Sequence, residues 1–271
     1  GAAAAESCCT GGEAQRWGSG ETELAIALAR TYVQGYSRGA AAEAFLGSLD
    51  VGSSCLDPLT RSALERYRRS GDACRCGVAV ARPDADSGAP LARCLPTGLV
   101  RPESVRRAAE AAEVAAITHS DRRSVDSCVV YCDLAAALVA GVRPAVAVTE
   151  SAAQCSGESE VGAVLAWAPR LPGRRLCPSG AVLDTLAAAV WALCQPGRFE
   201  DVLEELVGLG GDGPALAAAG GLLGAARGLG AISERLLRSL AHSGVLLGLT
   251  PQLLVVRRGH RASPGAMAGS R

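Results

Sequence analysis

Helical periodicity runs along almost the whole of this 271-residue chain, and nowhere does apolar and polar alternation last long enough to build a strand. That points away from any sheet-based fold and predicts an all-α one, a single compact multi-helix domain. Aromatic residues are only 3% of the chain against 49% hydrophobic residues, so Ala, Leu and Val must form the interior, and small side chains favour closely packed helices. With charged residues at 20%, there is enough apolar surface to bury a sizeable core, which excludes disorder for most of the chain.

The clearest helix spans Glu21 to Val33, where Leu24, Ala27, Leu28 and Thr31 follow the i, i+3, i+4, i+7 rule and Gly35 closes the segment. Further helices are predicted at Ala40–Leu49, Leu59–Arg69, Pro102–Ile117, Arg123–Ala140, Ser159–Trp167, Ala181–Cys194, Phe199–Leu206 and Ala215–Leu229. Ser70-Gly71-Asp72 and Gly141 supply stops. In the last helix Gly220, Gly224 and Gly228 recur four apart on one face and would allow close helix approach. Arg82–Ala89 and Pro169–Gly180 read as loops, the second an exposed one, and the proline-bearing run Gly88 to Pro96 is assigned to no element. No internal repeat or composition break divides residues 1–256, and Arg257–Arg271 reads as a disordered basic tail.

Charge and cysteine usage narrow the function classes. The 27 acids balance the 27 bases, which argues against a dedicated nucleic-acid or anionic-membrane binder. All the bases are arginine, with no lysine or asparagine anywhere, which reflects codon bias from a GC-rich genome more than chemistry. The longest apolar runs, such as Ala215 to Ala226, fall short of the ~20 residues of a spanning helix. Gly1–Cys9 has neither a basic start nor an apolar h-region, so no secretory signal is expected and the location predicted is cytoplasmic. Eleven cysteines include no Cys-x-x-Cys pair, and His119, His242 and His260 are remote from most of them, so structural zinc is not expected. Cys128 and Cys132 read as small core residues.

Four segments, in order, carry a resemblance. Trp17-Gly18-Ser19-Gly20-Glu21-Thr22-Glu23-Leu24 opens the first helix; Gly88 to Pro96 with Gly98-Leu99 keeps Arg93 and Pro96. Ile117-Thr118-His119-Ser120-Asp121 precedes a long helix, and Leu209-Gly210-Gly211-Asp212-Gly213-Pro214-Ala215 opens a Gly/Ala-rich one. Together they resemble the ADP-ribosylglycohydrolase family of all-helical hydrolases, with its Trp-Thr-Asp-Asp-Thr, Asn-Gly-x-x-Met-Arg-x-x-Pro-x-Gly, Thr-His and Gly-Gly-Asp-x-Asp-Thr motifs. A fifth match sets Gly1–Cys9 against the family's entry helix, with Glu6 at its Asp position.

The resemblance implies two Mg²⁺ ions, held by the Thr-Asp-Asp and Asp-x-Asp-Thr motifs, that grip the ribose hydroxyls and orient water at the anomeric carbon. Such a pair, ~3.5–4 Å apart, needs surrounding carboxylates to offset its own repulsion. Ser19, Glu21 and Asp212 keep an oxygen at those positions; Gly20, Pro214 and Ala215 do not. The expectation is therefore at most one Mg²⁺, on Ser19, Glu21 and Asp212, with a lost or reduced dinuclear site. Glu21 and Asp212 are candidates for metal-free general acid and base, and His119, Ser19, Arg93, Gly211 and Gly213 for binding a small-molecule or nucleotide-sugar-like ligand. Without any ligand, Ser19 serves equally as an N-cap, Glu21 as a favourable charge at a helix start, Asp212 as a turn residue and Arg93 as a buried cation bonded to carbonyls. Two function classes follow: a divergent hydrolase, to which the survival of two carboxylates inclines the reading, or a non-catalytic binding or scaffold relative. A monomer or a homodimer is expected, with neither nucleic acid nor membrane as partner.

Overall fold

The computed structural model describes residues 20–50, 56–80, 86–155, 157, 159–240 and 243–261. Thirteen α-helices and no strand occur among them. They run in chain order as α1 (Gly20–Gln34), α2 (Arg38–Asp50), α3 (Pro58–Ser70), α4 (Ala89–Val100), α5 (Ser104–Ala116), α6 (Arg122–Val139), α7 (Pro144–Gln154), α8 (Glu160–Trp167), α9 (Val182–Cys194), α10 (Phe199–Gly208), α11 (Gly213–Arg227), α12 (Glu234–Ser239) and α13 (Ser243–Arg261). No described helix is long and apolar enough to cross a membrane.

The core lies where α4, α6, α9 and α11 meet. α6 packs on α4, α5 and α11, α9 on α11, and α1 on α4, with α13 against the outer side of α1. α9 carries apolar residues on every face and is accordingly buried from Thr185 through Leu193, as a helix without a polar stripe must be. Its Trp191 fills the interior, and the indole N–H donates to the Leu171 carbonyl at 3.1 Å, so the one polar atom of that ring is satisfied. Cys94, Cys128 and Cys132 are buried free thiols.

Four described helices are not among those predicted from sequence, α4, α7, α12 and α13, and the one that matters for the site is α4. Pro90 sits in its first turn, where a missing N–H costs nothing, but Pro96 lies inside it and removes a ladder bond. Burial of Leu91, Cys94 and Val100 offsets that cost, and Gly98 is what lets the helix close on α6: a Cβ there would lie 2.6 Å from the Cys132 carbonyl oxygen and 2.9 Å from the Ala135 Cβ. In α11 the close approach falls on Gly221, where a Cβ would come within 2.3 Å of the Tyr131 hydroxyl. Gly228, expected on that helix's packing face, instead ends it with a positive φ of 76°, so α11 stops two residues before Leu229.

Pro169–Gly180 is exposed or half-buried over most of its length, as expected, but it contains 3-10 turns at Ala168–Arg170 and Gly173–Arg175 and buries Leu176. One terminal reading changes. The basic tail begins later than Arg257, because α13 continues to Arg261 and Arg257 is buried, donating to the Leu99 carbonyl at 2.6 Å. Residues 262–271 lie outside the described residues.

Because the atom facing Gly98 is backbone and cannot rotate away, Gly98→Ala is expected to destabilise the fold by about 1–3 kcal/mol despite alanine's better helix propensity. Urea unfolding measures this, and an unchanged or raised midpoint would contradict the α4–α6 contact.

Candidate functional site

Five positions from four stretches of the chain meet around one guanidinium. Arg93, on the inner face of α4, has no exposed surface. Its Nε donates to Glu21 Oε2 at 2.8 Å and its Nη2 to Glu21 Oε1 at 3.0 Å, the bidentate geometry that only arginine offers a carboxylate. Nη2 also donates to Thr60 Oγ1 at 2.9 Å and Nη1 to Thr118 Oγ1 at 3.1 Å. Asp57 Oδ2 stands 3.5 Å from Nη2.

Local sequence explains how these groups arrive. Glu21 is in the first turn of α1 and is buried, a place where the helix dipole favours an acid. Asp57 is the N-cap of α3, its Oδ1 accepting from the backbone N–H of Leu59 and Thr60 at 3.1 and 3.0 Å, with Pro58 following in the first turn. Thr118 and His119 close α5 just before Asp121, the N-cap of α6. His119 is fully buried, its Nδ1 2.9 Å from Thr118 Oγ1 and its Nε2 3.6 Å from Asp57 Oδ1. The Thr118 hydroxyl accepts from Arg93 and has its own proton to offer Nδ1; in that tautomer the ring proton is on Nε2, the nitrogen facing Asp57.

Electrostatics follow from this packing. Burial pushes the Arg93 guanidinium toward deprotonation, but Glu21 and Asp57 outweigh it and hold the charge above its usual range. Burial alone would raise the Asp57 carboxyl; His119, Arg93 and Thr60 together hold it far below the carboxylate range instead. Burial lowers the His119 imidazole, and the Arg93 charge adds to that against the pull of Asp57, so the ring is neutral. With one guanidinium, two carboxylates and a neutral imidazole, the cluster carries one excess negative charge. Asp57 Oδ2 and His119 Nε2 make no hydrogen bond.

The residues expected from sequence distribute as follows. Glu21, Arg93 and His119 come together, Arg93 bonded to side chains and not to carbonyls. Asp212 has a different occupation: it is the N-cap of α11, Oδ1 accepting from the Ala215 N–H at 3.0 Å, with Oδ2 3.0 Å from the place a Cβ on Gly180 would take. Gly211 turns the chain into that cap, its N–H donating to the Leu206 carbonyl at 2.9 Å, and Gly213 begins the helix with open space beside it. Ser19 and Glu6 lie outside the described residues. Asp57 and Thr60 were missed; the Asp-Pro pair opening α3 signalled a cap, but nothing local pointed it toward Arg93.

The magnesium expected on Ser19, Glu21 and Asp212 does not fit this arrangement. Both Glu21 oxygens are bonded to a fixed cation, and Asp212 Oδ1 to its own helix. An ion ligated by Glu21 would stand roughly 4 Å from a guanidinium, a repulsion of about 8 kcal/mol for a divalent charge at an effective dielectric of 20. Among the described residues no three His, Cys, Asp or Glu side chains are grouped as a metal site requires.

The neutral, buried His119 gives a pH dependence of known sign. Its folded value lies below the ordinary 6.5, so the unfolded chain takes up the proton first, and stability falls as pH drops through 6.5 toward the folded value, by up to about 1.4 kcal/mol per pH unit. Asp57 acts lower: its contribution is complete above the ordinary 3.8 and disappears as pH falls below it. His119→Gln is expected to flatten the upper part of the stability–pH curve and, because His119 helps hold the Asp57 carboxyl down, to change the lower part as well; unfolding midpoints between pH 7 and 5 that parallel wild type would refute the buried neutral ring.

Comparison with known proteins agrees with this architecture. The ADP-ribosylglycohydrolase family model matches residues 6–263. No curated protein matches the chain significantly. Among solved structures, one described as an ADP-ribosylglycohydrolase-related protein complex superposes with a TM-score of 0.73 at 26% identity, covering 89% of this chain and 81% of that one. With its motifs, its helical fold and nearly its full length in register, the chain belongs to the ADP-ribosylglycohydrolase family.

Proposed function

We propose that this chain is a binding member of its family, one that takes a nucleotide-sugar-like ligand without metal-assisted cleavage of the glycosidic bond. The observation that supports this reading is the Glu21–Arg93 pair, with both bonds at 3.0 Å or less, at a position where the family resemblance implies a magnesium ligand. Hydrolysis of that type needs hard oxygen ligands free to face an ion, and at three of the other donor positions this chain has Gly20, Pro214 and Ala215, whose side chains offer no oxygen. A carboxylate engaged twice by arginine is also a poor general acid or base, since proton uptake would break a buried pair.

A second reading, partner binding, is favoured by the outward face of α13, where Leu247, Leu254 and Val255 are 54%, 44% and 70% exposed, and by the similar solved structure's being described as a complex.

The test uses wild-type protein. ADP-ribose is expected to raise the unfolding temperature equally in EDTA and in Mg²⁺, and no ADP-ribose should be released from ADP-ribosylated protein above the blank. Release that rises saturably with Mg²⁺ would overturn the proposal; no thermal shift at all, together with elution as a larger species, would favour partner binding.

A further inference from the structure

We infer that the groove between the later half of α1 and the first half of α13 is a second binding site, one that takes a small amphipathic anion: a carboxylate on a short, straight apolar chain. The groove holds about 380 Å³, within the range of small-molecule sites. It exists because the seam between the two helices closes only in part. Ile26, Ala29 and Leu249 are buried there as an apolar cluster separate from the main core, while Val33 and Val245, packed against them, stay half-buried. Gly244 and Gly248 form the α13 side. A Cβ at either would meet nothing within 4 Å, so the absent side chains leave room that no neighbour fills.

Lining chemistry selects the ligand. Val33, Val245 and Leu249 give an apolar floor, and Arg30, Gln34 and Gln252 stand around it, Gln252 held by its Nε2 to the Gly248 carbonyl at 3.0 Å. Arg30 is exposed and has no ion pair among the described residues, and neither the lining nor any part of α13 contains an acid. An arginine without a carboxylate, beside apolar surface already half withdrawn from water, is complementary to a ligand that brings the carboxylate and covers the surface. From Gly244 to Gln252 the helix rises about 12 Å at 1.5 Å per residue, a length that an extended chain of about eight carbons matches. Arg30 lies roughly 13 Å farther along α1 than Glu21, so this site is separate from the Arg93 cluster. The exposed Leu247, Leu254 and Val255 are not in its lining either.

Isothermal calorimetry on the full chain, with sodium octanoate and with octanol, is the test. Wild type is expected to bind octanoate saturably, about one per chain, and octanol about tenfold more weakly. At an octanoate concentration tenfold above Kd its unfolding temperature should rise roughly 3–5 °C. Arg30→Gln should lower octanoate affinity about five- to tenfold and leave octanol unchanged. Gly248→Leu puts a side chain into the open space and, by helix propensity, should hold or raise the unfolding temperature of the free protein; it is expected to bind neither ligand. No saturable octanoate binding by wild type, or binding that Gly248→Leu retains within about twofold, overturns the site. Equal affinity for octanoate and octanol, or an Arg30→Gln variant that binds octanoate as wild type does, overturns the anionic class. ADP-ribose takes no part in these titrations, so their failure leaves the functional reading standing, and release of ADP-ribose by wild type leaves the groove standing.

Discussion

A guanidinium wholly withdrawn from water holds the first half of this molecule together. Arg93 reaches from α4 to the start of α1, the start of α3 and the end of α5, so three helices and a turn are fixed relative to one another through one side chain. Burying an arginine and two carboxylates is expensive, and the attraction between them compensates only when every polar atom finds a partner in good geometry. Here the bidentate contact with Glu21 and the two threonine hydroxyls provide that geometry. Asp57 is stabilised a second time by the N–H groups of its own helix start. The consequence is conformational: α1 cannot shift along α4 without exposing or orphaning a buried charge.

That constraint also shapes what the family's fold can do in this chain. The carboxylate near the beginning of α1 is engaged by an arginine through both of its oxygens. The glutamate's extra methylene carries its oxygens deeper than an aspartate would, toward the guanidinium. Asp212 shows the same economy at the other end of the sequence, where a carboxylate retained from the motif satisfies a backbone N–H at the start of α11. Both acids survive, and both are used to organise helix ends.

Much of the helical framework was legible before any coordinates. The apolar spacing of α1, the stops at Gly35, Gly71 and Gly141, and the break between α9 and α10 are local events, governed by a few neighbouring residues. α4 escaped because prolines weigh heavily in any local reading, while the reason it is a helix, the fit of Gly98 against α6, involves residues more than thirty positions away. The site divides the same way. Glu21, Arg93 and His119 stood out by their places in the motifs, yet the partner assigned to Glu21 was Asp212 or a metal; Thr60 passed as an ordinary member of the helix predicted at Leu59–Arg69, and Asp57, just before it, drew no reading.

The sequence alone determined that the chain would be helical and would pack small apolar faces at close range, because period and side-chain volume are properties of short stretches. It also carried the family in four ordered motifs. Only the tertiary structure decided which cation each carboxylate would face. Glu21 and Arg93 are 72 residues apart, and charge in the chain says nothing about proximity; the packing of α1 on α4 brings the guanidinium to the carboxylate and buries both.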